Sequence, residues 1–175
     1  DATRRDPFDK RAQFSLFLLD ELAKHSTIES KHFVIRYAPG EDEVVARMMP
    51  DALDAMHEVV CARFGHEPPT KTLIDLMPDH RSFAVRITGM PQLHTIAACT
   101  GPMIAIEVPR VGAPQQHLGT FDWLKVLRHE YTHTVTLSQT RNRIPHWLTE
   151  AAAVSMEFAP RDYATCQMLA RELEA

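Results

Sequence analysis

The pentad His129-Glu130-Tyr131-Thr132-His133 constrains the fold of this 175-residue chain more than any other feature. Two imidazoles four residues apart share a target only on an α-helix, where i and i+4 project from one face a turn apart. So placed, both reach one Zn²⁺ at about 2.0–2.1 Å. Glu130, offset around the helix, can serve a water at that metal without being a ligand. Trp123, Leu124, Val126 and Leu127 precede the pentad with helical periodicity, so both histidines are expected in mid-helix. The spacing alone is a modest signal: chance produces it in about 0.04 of chains with ten histidines and twelve glutamates.

A catalytic zinc takes three protein ligands and keeps one position for water. The third ligand must come from a separate element. Glu150 lies 17 residues after His133, in Pro145-His146-Trp147-Leu148-Thr149-Glu150-Ala151-Ala152-Ala153. An antiparallel helix after a short connector brings it back beside the metal, and the small run Ala151–Ala153 lets two helices approach closely. The set His129, His133 and Glu150 suits borderline-soft Zn²⁺ and predicts one ion per chain.

The rest of the chain supplies a sheet and its cover. Residues 7–24 read as an amphipathic helix with a broad apolar face. Residues 32–38 read as a strand, and 41–64 as a helix that Pro50 kinks or splits and Gly65 stops. Residues 71–77 form a strand. In 79–88 Phe83, Val85 and Ile87 alternate, yet a short helix fits as well. Residues 94–99 and 103–108 flank Thr100-Gly101-Pro102 as a hairpin, and a Pro/Gly/Gln-rich loop covers 109–119. Thr120 is the expected N-cap of a helix over 121–138. Pro145 is expected in the first turn of the next helix, 146–158, and 161–174 is a last helix. Strands followed by helices predict an α+β domain. Residues 1–30 read as an N-terminal helix, packing on the domain or ending a preceding helical module; 31–175 form the domain itself.

Composition narrows the partners. The chain is 45% hydrophobic and 24% charged, with a net charge of −4. No Lys/Arg run marks a nucleic-acid surface, and no apolar stretch reaches the roughly 18 residues of a membrane span. Cys61, Cys99 and Cys166 are too few and too scattered for a disulfide framework. No apolar h-region follows the charged start, so no signal peptide is expected. The chain opens at Asp1, as a processed form or an excised piece would, and cytoplasmic and extracytoplasmic settings both stay open.

HExxH with a glutamate on a later helix resembles the gluzincin pattern of zinc metallopeptidases. The chain is most similar to the bacterial peptidase MA-like domains often joined to tetratricopeptide repeats. An HFxxRY strand (His32–Tyr37), an FG–PP connection (Phe64–Pro69), a TG turn (Thr100-Gly101) and a P-x-W-x-x-E stretch (Pro145–Glu150) carry the resemblance over residues 31–158. Ala151 stands where such domains frequently have Gly. The resemblance implies a minimal zincin fold, a small mixed sheet with an edge strand over the HExxH helix. It implies zinc ligands His129, His133 and Glu150, with Glu130 as general base in peptide-bond hydrolysis. Endopeptidase and aminopeptidase activity are not distinguished. It also implies an extended peptide or protein substrate along strand 103–108 and a flanking tetratricopeptide-repeat region. Gluzincins add a Tyr or His that stabilises the oxyanion; no motif places it here, and Tyr163, His146 and His117 are the candidates.

Other residues have plainer readings. His94 and His117 read as surface groups, and Asp79-His80 as a solvated turn. Tyr131 and Trp147 read as packing residues. Cys99 lacks a partner base. Two rival functions stay open. One is a zinc-binding scaffold or peptide-binding module with weak or lost activity, and the other is a helical domain with an accidental HExxH.

Overall fold

The computed structural model describes residues 8–113, 117 and 119–158. The predicted last helix, 161–174, with Tyr163 and Cys166, lies outside them. A five-stranded mixed sheet runs β1 (Ser26–Glu29), β2 (Phe33–Tyr37), β3 (Thr72–Met77), β5 (Met103–Glu107), β4 (Ala97–Cys99) in spatial order. The inner pairs β2·β3 and β3·β5 are parallel, and the outer pairs β1·β2 and β4·β5 antiparallel. Helices α1 (Lys10–Leu22), α2 (Asp42–Phe64), α3 (His80–Thr88), α4 (Trp123–Thr140) and α5 (His146–Met156) complete the described domain. This is the α+β arrangement that the sequence predicts. No helix among the described residues is long and apolar enough to cross a membrane.

Strand periodicity sorts the core into two layers. Phe33, Ile35, Ile74, Leu76, Ile104 and Ile106 face α2 and α4 and are fully buried. Met77 and Ala105 face α1 and α3, where Leu18, Phe83 and Val85 cover them. Each such large side chain contributes roughly 1.5–3 kcal/mol. The same alternation puts Arg36 and Asp75 on the α3 side. Asp75 is wholly buried and takes two bonds from Arg36, at 2.6 and 2.7 Å, and one from Arg86 at 2.8 Å.

Three expectations change, and two left open are narrowed. The α2 helix passes through Pro50 unsplit, because Ala46, Met49, Leu53, Met56 and Val60 bury one stripe on both sides of it; this packing offsets a proline cost of about 3 kcal/mol. The 79–88 segment is a helix, α3, with Asp79 as N-cap accepting from the Ser82 N–H at 2.7 Å. The N-cap of α4 is Asp122, not Thr120; its carboxylate accepts from the Lys125 N–H at 3.0 Å. Strand 103–108 is not at the sheet edge: β5 sits between β3 and β4, and β4 is the edge strand. On α1 only a narrow stripe of Phe14, Leu18 and Leu22 packs, while Leu16 and Leu19 stay exposed. The short strand β1, unmarked by any long alternation, pairs with β2.

Two carboxylates test this frame. Asp75→Ala leaves two half-buried guanidinium groups without their shared partner, and should cost about 2–4 kcal/mol in denaturant unfolding; an unchanged midpoint would contradict the arrangement. Asp54 accepts from Ser30 Oγ and from the N–H groups of Lys31 and His32, at 2.9–3.1 Å. Burial raises its pKa, but these bonds together outweigh it and leave the carboxyl below its ordinary value. A depressed folded pKa stabilises the fold above the unfolded value of about 3.9, and that contribution is lost as pH falls through the folded value. Asp54→Asn should therefore cost about 1 kcal/mol at pH 7, with the difference from wild type vanishing in acid.

Candidate metal centre

Leu127, Tyr131 and Val135 anchor one stripe of α4 in the core. His129 and His133, two positions on from Leu127 and Tyr131, therefore face away from it. The chain then reverses through Arg141 and Asn142, both left-handed at φ 52° and 59°. The Arg141 N–H reaches the Ser138 carbonyl and the Asn142 N–H the Leu137 carbonyl, at 3.3 and 2.8 Å, and these bonds close the helix end. Pro145 is the N-cap of α5, one position before the first turn predicted for it, and its fixed φ of −60° suits that entry. Helix α5 runs antiparallel to α4: Thr136, His133 and His129 meet Thr149, Glu150 and Glu157 in reverse order. Thr149, Ala153 and Met156 form its buried stripe. Of the alanine run expected at the contact, Ala153 is buried and Ala151 is exposed.

Three donor groups converge between the helices. His129 Nε2 and His133 Nε2 lie 3.2 Å apart, and the two Glu150 oxygens lie 3.5 Å from them, one each. A tetrahedral ion with bonds of 2.0–2.1 Å sets its ligand atoms about 3.3–3.4 Å apart. The nitrogen–nitrogen separation is close to that spacing, one ligand atom of each residue lies within 4.8 Å of the others, and the residues could hold a metal ion.

The hydrogen-bond network fixes which nitrogens are free. Thr136 Oγ1 donates to the Thr132 carbonyl at 2.9 Å, so it accepts from Thr149 Oγ1 at 2.9 Å. Thr149 in turn accepts from His133 Nδ1 at 2.8 Å. His129 Nδ1 donates to Glu157 Oε1 at 2.9 Å, since a carboxylate only accepts. With both Nδ1 atoms so engaged, the two Nε2 atoms face each other 3.2 Å apart, as lone pairs where the rings are neutral. A cation between them, or a proton on one, relieves the repulsion. Burial lowers the His133 pKa, and with it the readiness to take that proton.

Glu157 and Thr149 are the residues that sequence reasoning missed. Glu157 lies seven positions, two helical turns, after Glu150 and so on the same face; the E-x6-E spacing is its sequence signal. Lys125 Nζ pairs with its other oxygen at 3.1 Å. Burial raises the Glu157 pKa, but bonds from Lys125 and His129 outweigh it and hold the carboxyl low.

Glu130 stands beside the donor set. Burial pushes its carboxyl above the ordinary range; His129 and a bond from the Cys99 backbone draw it back, and Glu150 adds to the rise. With His129, Phe121, Lys125 and Glu157 it lines a cleft of about 400 Å³. The Cys99 contact sets Glu130 against edge strand β4.

Of the remaining candidates His146 stays at the site: its Nε2 lies 3.4 Å from Glu150 Oε1, on an exposed side chain. His117 is directed to Glu107, at 3.6 Å, and His94 is exposed. His80 is not a solvated turn residue: it bridges Glu107 and the Leu93 carbonyl at 2.9 and 2.6 Å. Tyr131 is buried, but Trp147 is 70% exposed, because the Thr149–Ala153–Met156 stripe turns it outward. Cys99 Sγ lies 3.3 Å from Thr134 Oγ1, and burial raises its pKa, which makes it a poor nucleophile. No family model, curated protein or solved structure matches the chain.

Glu157→Ala should release the His129 ring, whose Nδ1–H donates to the Glu157 carboxylate. Zinc affinity, measured by chelator competition, should fall about 10–100-fold. Wild-type affinity in this variant would show that the ring is not held through Nδ1.

Proposed function

We propose that this chain is a gluzincin-type zinc peptidase domain. His129, His133 and Glu150 hold the metal and Glu130 acts as general base. The observation that carries the reading is the convergence of three donor groups from two antiparallel helices, one ligand atom of each within 4.8 Å of the others, with each histidine held through its Nδ1. Bound Zn²⁺ supplies Lewis acidity, which polarises the scissile carbonyl and brings the pKa of a coordinated water toward about 7.

The side chains do the rest. Glu130 takes a proton from the attacking water and passes it to the leaving amine; its upward-shifted carboxyl suits both halves of that transfer. Glu157 and Thr149 hold the two imidazoles in the tautomer that presents Nε2. The outer edge of β4, the end strand of the sheet among the described residues, touches Glu130 through Cys99 and offers main-chain pairing to an extended peptide. That role passes to β4 from β5, which has neighbours on both sides.

A second reading is a zinc-retaining scaffold without turnover. Tyr37 and Tyr131 are both buried in the core, so an oxyanion role is left to Tyr163, outside the described residues, or to His146, whose Nε2 lies 3.4 Å from Glu150 Oε1; without such a group the scaffold reading holds. One variant separates the readings. Glu130→Gln should keep one zinc at the His129–His133–Glu150 site while peptide-library cleavage falls at least about 10²-fold. Equal cleavage by variant and wild type would sink the base assignment, and zinc-loaded wild type without cleavage would leave the scaffold.

A further inference from the structure

We propose that His32, His57 and Glu67 form a second transition-metal site, on the opposite side of α4 from the first. They come from three separate segments: the entry to β2, the middle of α2, and the connector between α2 and β3. His32 Nδ1 lies 3.5 Å and His57 Nε2 3.4 Å from one oxygen, Glu67 Oε1. Nitrogen–oxygen hydrogen bonds are shorter, about 2.7–3.2 Å. The edge of a tetrahedral zinc site is about 3.3–3.4 Å. Both contacts match the second length, and the three donor atoms all lie within 4.8 Å of one another.

The rings of His32 and His57 stack at 3.5 Å and 13°; because each lone pair lies in its ring plane, His32 must tilt out of the stack for both nitrogens to meet one ion. His57 is buried and its Nδ1 lies 2.6 Å from the Tyr131 hydroxyl; in the tautomer where Nδ1–H donates to that oxygen, Nε2 is the lone pair. Such a partner on the far ring nitrogen is what orients metal-bound histidines. Asp54 fixes the His32 backbone. A cavity of about 310 Å³ opens over the cluster and leaves room for a fourth ligand. Lys31 and Lys71 stand at its rim, but each is paired, with Glu58 and Glu29. Two imidazoles and one carboxylate suit Zn²⁺ among common cations. The place of this set is structural: it ties β2, α2 and the connector to α4 through Tyr131, about 200° around the helix from His129.

Zinc titration by calorimetry at micromolar protein, with elemental analysis after desalting, tests the site independently of the first. Wild type should bind two equivalents. Glu67→Gln and His133→Ala should each bind one, and the double variant none. Glu67 is exposed, so its replacement leaves the fold in place, and zinc should raise the Tm of His133→Ala but not of the double variant. One equivalent in wild type that Glu67→Gln leaves untouched would overturn the proposal, as would a second equivalent that appears only at millimolar zinc or persists in Glu67→Gln. One equivalent lost in Glu67→Gln and kept in His133→Ala would uphold it while defeating the site proposed above.

Discussion

Everything chemical in this domain depends on how α4 is seated. Leu127, Tyr131 and Val135 lock one stripe of the helix against the sheet. A rotation of one residue, about 100°, would bury a histidine or expel Tyr131. The seat therefore sets the direction of every other α4 side chain: His129 and His133 toward α5, Glu130 toward the cleft and β4. Thr132, Thr136 and Thr140 would disfavour a helix by their branching. Here each returns its hydroxyl to the carbonyl four residues back, at 2.7–2.9 Å, so no buried donor is stranded. Thr136 then serves twice, because its remaining lone pair receives Thr149 and begins the chain that orients His133.

That chain explains why two helices, rather than one, make the centre. On α4 alone the histidines would be rotatable imidazoles. Helix α5 brings Thr149, Glu150 and Glu157 across within two turns. One residue completes the donor set, and the others each take an Nδ1. The turn at Arg141-Asn142 sets the registry, and it holds two non-glycine residues in the left-handed region, a strain that the closing bonds to Leu137 and Ser138 offset.

The donor set was legible because its determinants are local: HExxH needs only helical periodicity, and Pro145 followed by Glu150 needs only a helix start. The sheet was legible where strands carry long apolar alternation, as in β2 and β3. What escaped the sequence was decided by partners far along the chain. Nothing in Ser26–Glu29 marks β1 until β2 lies beside it. Strand order is a property of pairing, so β5 could be mistaken for an edge. Glu157 acquires meaning only once α5 runs antiparallel to α4. His32 and Glu67 are 35 residues apart in sequence, and no spacing rule connects them. Trp147 was misjudged for the opposite reason: its size argued for burial, but the stripe of α5 that faces the core was already filled by smaller residues.

The two His-His-Glu clusters differ in how completely their nitrogens are committed, and this orders them. In the α4–α5 cluster each Nδ1 has a short partner, so both rings are held and both Nε2 lone pairs are aimed before any ion arrives. In the second cluster only His57 is so held. The outer nitrogen of His32 is buried with no hydrogen-bond partner, and its nearest carboxylate, Glu58, is 3.9 Å away. Glu67 is also more exposed than Glu150, at 63% against 41%, so more side-chain freedom is lost when it binds. The α4–α5 cluster is thus the better organised of the two, and on the proposed reading it would take metal first. The second would fill only as His32 and Glu67 become ordered, and through Tyr131 that ordering would bear on the buried stripe that seats α4.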